Sequence, residues 1–285
     1  MAKIVFEGVR KTFGDFTALD GIDLEIRSGE FLVVVGPSGC GKSTLLDLLG
    51  GLSAPTAGRI LLDGKPVTGP GLDRGIVFQQ YALLPWRTAL GNVEFGLEAT
   101  GVPRRERKDR AREFLDLVGL TGFEDRHPHQ LSGGMRQRVA IARSLAYDPD
   151  VLLMDEPFAA LDAQTRESLQ DELRRIWQRT GKTVVFITHG IEEAVYLGQR
   201  VAVMTSRPGR IKEIVPVAFG ERPGTAPTGT APTGTAPTGT ALGTGPQGEE
   251  LRSSPEFARR RHEIWTLLHD EVARAQQLEK EEASV

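Results

Sequence analysis

FLVVVGPSGCGKST, residues 31–44, is the stretch whose reading decides the fold. Five apolar, mostly β-branched residues run straight into a glycine-rich turn, and the turn opens a helical pattern. Strand, glycine loop and helix in that order mark a phosphate-binding loop; a glycine-rich turn with a surface lysine would need no such context. Gly36, Gly39 and Gly41, with Pro37, Ser38 and Cys40 between them, let backbone N–H groups converge on phosphate oxygens, and the helix N-terminus adds a favourable dipole. Lys42 is placed to bring positive charge to the β and γ phosphates, the Ser43 hydroxyl to ligate Mg²⁺, and Thr44 to assist at the phosphates. A thiol at a helix N-terminus is expected to have a lowered pKa. Alkylation of Cys40 is therefore expected to block ATP binding by steric obstruction.

Further along, short β-branched runs again alternate with helical patterns. Residues 151–154 precede an acidic pair and residues 184–188 precede His189, so the chain reads as α/β with a mostly parallel sheet. Residues 4–8, 22–26 and 60–62, separated by turn residues, are expected to form a small antiparallel sheet. From about residue 90 to 146 the pattern turns helical. Residues 164–179 carry Leu169, Leu173, Ile176 and Trp177 at helical spacing and stop at Thr180 and Gly181; these apolar residues read as core.

The segment VLLMDEP, residues 151–157, presents two carboxylates at the C-terminal end of a strand, where open α/β sheets bind their ligands. Asp155 is expected to hold Mg²⁺, directly or through water. Glu156 is the candidate general base that orients and polarises an attacking water, because phosphoryl transfer depends mainly on positioning and electrostatics. In LSGGM, residues 131–135, Ser132 is placed to cap a helix whose first turn holds Gly133 and Gly134. Such a helix start is itself an anion site.

With the glycine loop, LSGGM and the acidic pair in this order, the chain resembles the ATP-binding subunits of ABC transporters. The resemblance covers roughly residues 5–213, and again about residues 255–268. It implies a P-loop ATPase core with an antiparallel β subdomain and an inserted helical subdomain. The expected boundaries are an ATP-binding domain over residues 1–220, with helices over about 88–148, a linker over 221–250, and a helical tail over 251–285. The resemblance also implies roles. Leu131, Ser132, Gly133, Gly134 and Met135 meet the γ phosphate of ATP held by a second copy, in a head-to-tail dimer that sandwiches two nucleotides. His189 contacts the γ phosphate, and Gln79 senses Mg²⁺ and the attacking water, with Gln80 beside it the less favoured choice. Asp162 communicates across the dimer. Phe13 stacks on adenine, although Phe16 is close enough to compete. Two positions depart from the family: Gly190 follows His189 where Asp is frequent, and Ala159 stands where Gly or Ser is common.

The stretches GPGLDRGIVFQQYALLPWRT, residues 69–88, and SRPGRI, residues 206–211, are similar to the importer subgroup serving nitrate, aliphatic sulfonates, taurine and related small compounds. That resemblance implies two multi-spanning permease subunits and an external solute-binding protein as partners, and a peripheral place on the cytoplasmic face of the membrane. Trp86 either lies near the groove that receives a helix of the permease or packs within the helical subdomain. A soluble ABC ATPase acting on nucleic acid or ribosomes, or an exporter ATPase, are the alternatives.

Composition bounds these readings. A 39% hydrophobic content over 285 residues is enough for a core. A formal charge of −3 offers no general attraction to nucleic acid or anionic lipid, and the basic run at 104–112 is broken by Glu106 and Asp109 and reads as a solvated helix face. No apolar stretch approaches the ~20 residues that cross a bilayer, and the first residues lack a signal peptide's pattern. One cysteine excludes an internal disulfide framework, as suits a reducing compartment. TAPTG repeats through residues 225–239, too small and uncharged to offset its conformational entropy by burial, and reads as a flexible linker. After it, Ser254, Pro255 and Glu256 form a helix start, and Phe257, Ile264, Leu267, Leu268 and Val272 follow at helical spacing. That tail is expected to dock on the core or on a partner.

Overall fold

A computed structural model describes residues 3–217 and 247–282. The chain opens with a hairpin of β1 (Ile4–Phe13) and β2 (Phe16–Ile26), turning at Gly14 with a positive φ of 57°. Next come β3 (Phe31–Val35), α1 (Lys42–Gly50), β4 (Ala57–Leu62), β5 (Lys65–Pro66) and β6 (Arg74–Val77). The helical stretch follows: α2 (Ala89–Ala99), α3 (Arg104–Leu117), a 3-10 turn (Pro128–Gln130) and α4 (Gly133–Ala146). Then β7 (Val151–Asp155), α5 (Ala163–Thr180), β8 (Thr183–Ile187), α6 (Ile191–Leu197), β9 (Arg200–Met204) and β10 (Ile211–Pro216) complete the sheets. Beyond residues 218–246, α7 (Gln247–Arg252) and α8 (Pro255–Glu282) form the tail. The TAPTG repeat lies outside the described residues, and the tail's first helix begins at Gln247, four residues ahead of the boundary read from composition.

Two sheets carry the fold. The order β2-β1-β4-β5 is antiparallel throughout, as the early strands lead one to expect. The second sheet runs β10-β9-β3-β8-β7-β6, parallel except for the edge strand β10. Its central strands are buried on both faces, so alternate residues feed two cores. Phe31, Val33, Val35, Leu152, Met154, Val184 and Phe186 face the helical stretch, α5 and α6. Leu32, Val34, Val151, Leu153, Val185 and Ile187 face α1 and the antiparallel sheet. Trp177 closes the first core edge-on against Phe31, with ring centroids 5.6 Å apart, and its indole N–H donates to the Gly29 carbonyl at 3.2 Å. The long helix expected at 164–179 is α5, ended by Gly181 at φ 62°.

Because β3, β8, β7 and β6 are neighbours and parallel, the loops after all four emerge along one edge of the sheet. That edge is where the glycine loop, His189, the Asp155–Glu156 pair and Gln79 lie. The tail docks on the core: α8 buries Phe257, Ile264 and Leu268 against α6 and β9, and Ser254 caps its first turn by accepting the Phe257 N–H at 3.2 Å.

Candidate functional site

The glycine loop is shaped by contacts that only glycine tolerates. Gly41, the N-cap of α1, has φ 99°, and a Cβ there would lie 2.7 Å from Leu19 Cδ2 and 3.1 Å from the Ala18 carbonyl oxygen. A Cβ on Gly36 would lie 2.7 Å from Cys40 Sγ. The buried Lys42 ammonium is held by the carbonyls of Gly36 and Pro37 at 2.8 and 2.9 Å, so it sits inside the loop it serves. The lowered pKa expected for Cys40 is overturned. Its side chain is buried, and burial pushes the thiol pKa up, outweighing the Lys42 charge and the backbone donors that pull it down. A buried, protonated thiol is neither a good nucleophile nor an accessible one.

The Ser43 hydroxyl sits beside the Asp155 carboxyl and pulls its pKa down. Burial raises the Asp155 pKa, the Glu156 and Asp47 carboxylates raise it further, and Ser43 and Lys42 only partly compensate. Such crowding is relieved by a cation. Among the described residues no three acidic, His or Cys side chains form a metal cage. A hydroxyl and a carboxylate that leave the remaining positions to phosphate and water suit Mg²⁺. The residues present thus fit a Mg²⁺-nucleotide.

Glu156 stands just past β7 at φ 43°, a conformation that disfavours side chains with a Cβ by about 1–3 kcal/mol. It is held there by its N–H donating to the Ile187 carbonyl at 2.9 Å. The result is contact between two residues thirty-three positions apart: Glu156 Oε2 lies 3.1 Å from His189 Nδ1. Glu156 is 22% exposed and His189 67%. An ionised carboxylate can only accept, so the Nδ1 facing it carries the proton and Nε2 is left toward solvent.

Gln79 lies in an exposed turn one residue beyond Phe78. The chain then passes through Tyr81 and Ala82, both at positive φ, and their carbonyls accept from the Arg143 guanidinium of α4 at 3.1 and 2.6 Å. Arg136 of the same helix lies 5.3 Å from the Tyr81 ring centroid. Arg143, Arg136 and Tyr81 escape sequence reading because arginines on a helix carry no signal of which backbone they will hold. Asn92, fully buried, binds the backbone of Leu84, Arg87 and Thr88. Trp86 is 72% exposed, so it does not pack within the helices.

LSGGM opens α4 as expected, with Ser132 accepting the Met135 N–H at 3.2 Å and Leu131 buried. Its glycines have an intramolecular reason. A Cβ on Gly133 would lie 3.3 Å from both Leu161 Cδ2 and the Tyr81 hydroxyl, and one on Gly134 only 2.5 Å from Thr165 Cγ2. Asp162 caps the facing helix α5 by accepting the Thr165 N–H at 2.9 Å, and that bond holds its carboxyl below the usual range. Phe13 and Phe16 pair across the first hairpin and are 53% and 42% exposed. Lys11 lies over Phe13, whereas Arg207, beside Gly39, lies over Phe16. Both rings stand at the hairpin end, and Arg207 links Phe16 to the glycine loop.

Residues 19–159 match the family described as ABC transporter. Over 258 residues the chain is 55% identical to an ABC transporter ATP-binding protein of Methanocaldococcus jannaschii, covering 90% of this chain and 86% of that one. The chain belongs to the ABC transporter ATP-binding proteins. Within this family it is 56% identical over 204 residues to the taurine import ATP-binding protein of Pseudomonas putida, covering 72% of this chain and 78% of the relative. It is also 56% identical over 208 residues to the nitrate import ATP-binding protein of Synechocystis, covering 73% and 77%. An ATP-binding cassette solved as a dimer in a post-hydrolysis state with ADP and Pi shares 37% identity at a TM-score of 0.67, covering 77% of this chain and all of that one. No helix among the described residues is long and apolar enough to cross a membrane.

Proposed function

We propose that this ABC ATPase is the energy-coupling subunit of an importer for a small anionic or zwitterionic solute of the nitrate, sulfonate or taurine kind. The observation that carries the reading is the meeting of the glycine loop, Asp155 and the Glu156–His189 pair at one sheet edge. Taurine and nitrate import relatives at equal identity support the solute class and leave its member open.

The nucleotide supplies the phosphoryl group, and Mg²⁺ neutralises charge developing on it. Lys42 binds the β and γ phosphates; Gly36, Pro37, Ser38, Gly39, Cys40, Gly41 and Thr44 cradle them. Ser43 and Asp155 hold the metal, with Gln79 reporting on it and on water. Glu156, fixed by its backbone bond to Ile187, orients and polarises that water. His189, its ring oriented by Nδ1–H donating to Glu156, meets the γ phosphate through Nε2, which donates to a phosphate oxygen when both ring nitrogens carry a proton. Phe13 covers the adenine. Ser132, Gly133 and Gly134, with Leu131 and Met135, face the nucleotide of a second copy, and Asp162 sits at that junction. The dimeric cassette relatives support the self-association. Permease subunits, with an external solute-binding protein beyond them, complete the complex, which keeps the subunit on the cytoplasmic face of the membrane. Residues 1–220 are the ATP-binding domain, with the helical subdomain at about 88–148, and the helical tail follows from Gln247.

Glu156→Gln tests the core of this reading. It is expected to bind ATP, accumulate as a nucleotide-bound dimer, and hydrolyse at least about 100-fold more slowly. A variant that stays monomeric with ATP by light scattering, or turns over normally, removes Glu156 from its role.

A further inference from the structure

The C-terminal segment reaches the hydrolytic pair from behind. A cavity of about 310 Å³ opens beside it, lined by Glu156, His189, Arg166, Gln170 and Glu193 of the core and by Arg252 of α7. Arg252 donates to Gln170 Oε1 at 2.7 Å and stacks on Tyr196, 3.8 Å from its ring centroid. Gln170 Nε2 donates to Glu193 Oε1 at 2.9 Å. The Thr188 hydroxyl donates to the other Glu193 oxygen and accepts the Gly190 N–H at 2.9 Å. Gln170, Glu193 and Thr188 are all buried.

Every atom in this series has one consistent role. A guanidinium only donates, so the amide oxygen of Gln170 must face Arg252, which turns the amide N–H toward Glu193. A flipped amide would set oxygen against a buried carboxylate. Glu193 accepts twice, and Thr188 donates once and accepts once. Thr188 and Gly190 are the two neighbours of His189. Gly190 is the N-cap of α6 and offers no side-chain cap, so the Thr188 hydroxyl takes its N–H.

The geometry points to Arg252 as a positioning residue for hydrolysis: through Gln170, Glu193 and Thr188 it holds the backbone on both sides of His189 where Nδ1 meets Glu156. The inference rests on His189 acting at the γ phosphate. A tail that only adds stability would not discriminate between substrate binding and turnover, nor depend on His189.

The full-length chain is assayed with Mg-ATP at steady state. Arg252→Ala is expected to lower kcat about tenfold with KM within about twofold, since small displacements of a catalytic group fall on the transition state. Gln170→Leu is expected to give the same loss, and Arg252→Lys, which keeps a donor, to recover part of it. In a His189→Ala background the residual turnover should fall no further when Arg252→Ala is added, because both changes act on one group. A kcat of Arg252→Ala within twofold of the parent overturns the inference, as does a full, independent loss in the His189→Ala background. Parental turnover in His189→Ala alone would instead overturn the role of His189, and the relay with it.

Discussion

Replacing Gly134 by alanine sets two opposed effects against each other at the start of α4. Alanine favours a helix over glycine by about 1 kcal/mol. The added Cβ, however, would lie 2.5 Å from Thr165 Cγ2. Threonine is β-branched and keeps only two favoured χ1 rotamers in a helix, so its methyl has little freedom to swing aside. It sits in the first turn of α5, where the Thr165 N–H is tied to Asp162. Relief must come from separating the two helix starts, and overpacking of this kind costs about 1–3 kcal/mol. The net expectation is a loss of roughly 0–2 kcal/mol in urea unfolding. Thr165→Ser removes the clashing methyl and keeps the hydroxyl. In that background Gly134→Ala should change sign and stabilise by up to about 1 kcal/mol, because only the helix preference remains. The neighbouring Leu169 Cδ1 stands at an ordinary 3.7 Å and adds no clash. Equal destabilisation by Gly134→Ala in both backgrounds would refute the steric reasoning.

Glu172 is buried between Arg138 of α4 and its own helix, and burial pushes its pKa up to about 7 against the pull of Arg138 and Arg175. An acid whose folded pKa is raised contributes stability present below its unfolded pKa and lost as pH rises. Between pH 5 and 8 the loss is about 2–3 kcal/mol, and it should vanish in Glu172→Gln; parallel pH profiles for the two would contradict it. Cys40 in the native chain should react with iodoacetamide far more slowly than in the urea-unfolded chain, and native labelling at the unfolded rate would show the loop to be open. If hydrolysis needs two copies, specific ATPase activity should rise with protein concentration while ATP binding per chain stays constant; activity independent of dilution would argue for a self-sufficient monomer.

Much of the site is legible locally because its chemistry is built from contiguous residues. The glycine loop needs backbone amides in series, LSGGM needs a cap and two glycines in one turn, and Asp155 and Glu156 need only a strand's end. The unbroken apolar runs at residues 31–35 and 151–154 likewise announce strands covered on both faces. Cys40 departs from its local signal for a physical reason: a helix N-terminus lowers a thiol pKa, but burial of this residue beneath the loop raises it by more. Trp86 could not be placed from its neighbours, since exposure depends on what other elements cover.

Periodicity, turn chemistry and motif spacing therefore determine the elements and the class of ligand, because these depend on interactions within a few residues. Strand order does not, since hydrogen bonding between β8 and its neighbours β3 and β7 joins residues more than a hundred positions apart in one case. Only the tertiary structure brings His189 to Glu156, sets Arg143 on the carbonyls after Gln79, and lays Arg252 against Gln170. Each of these contacts is a choice among chemically equivalent partners, and packing alone makes it.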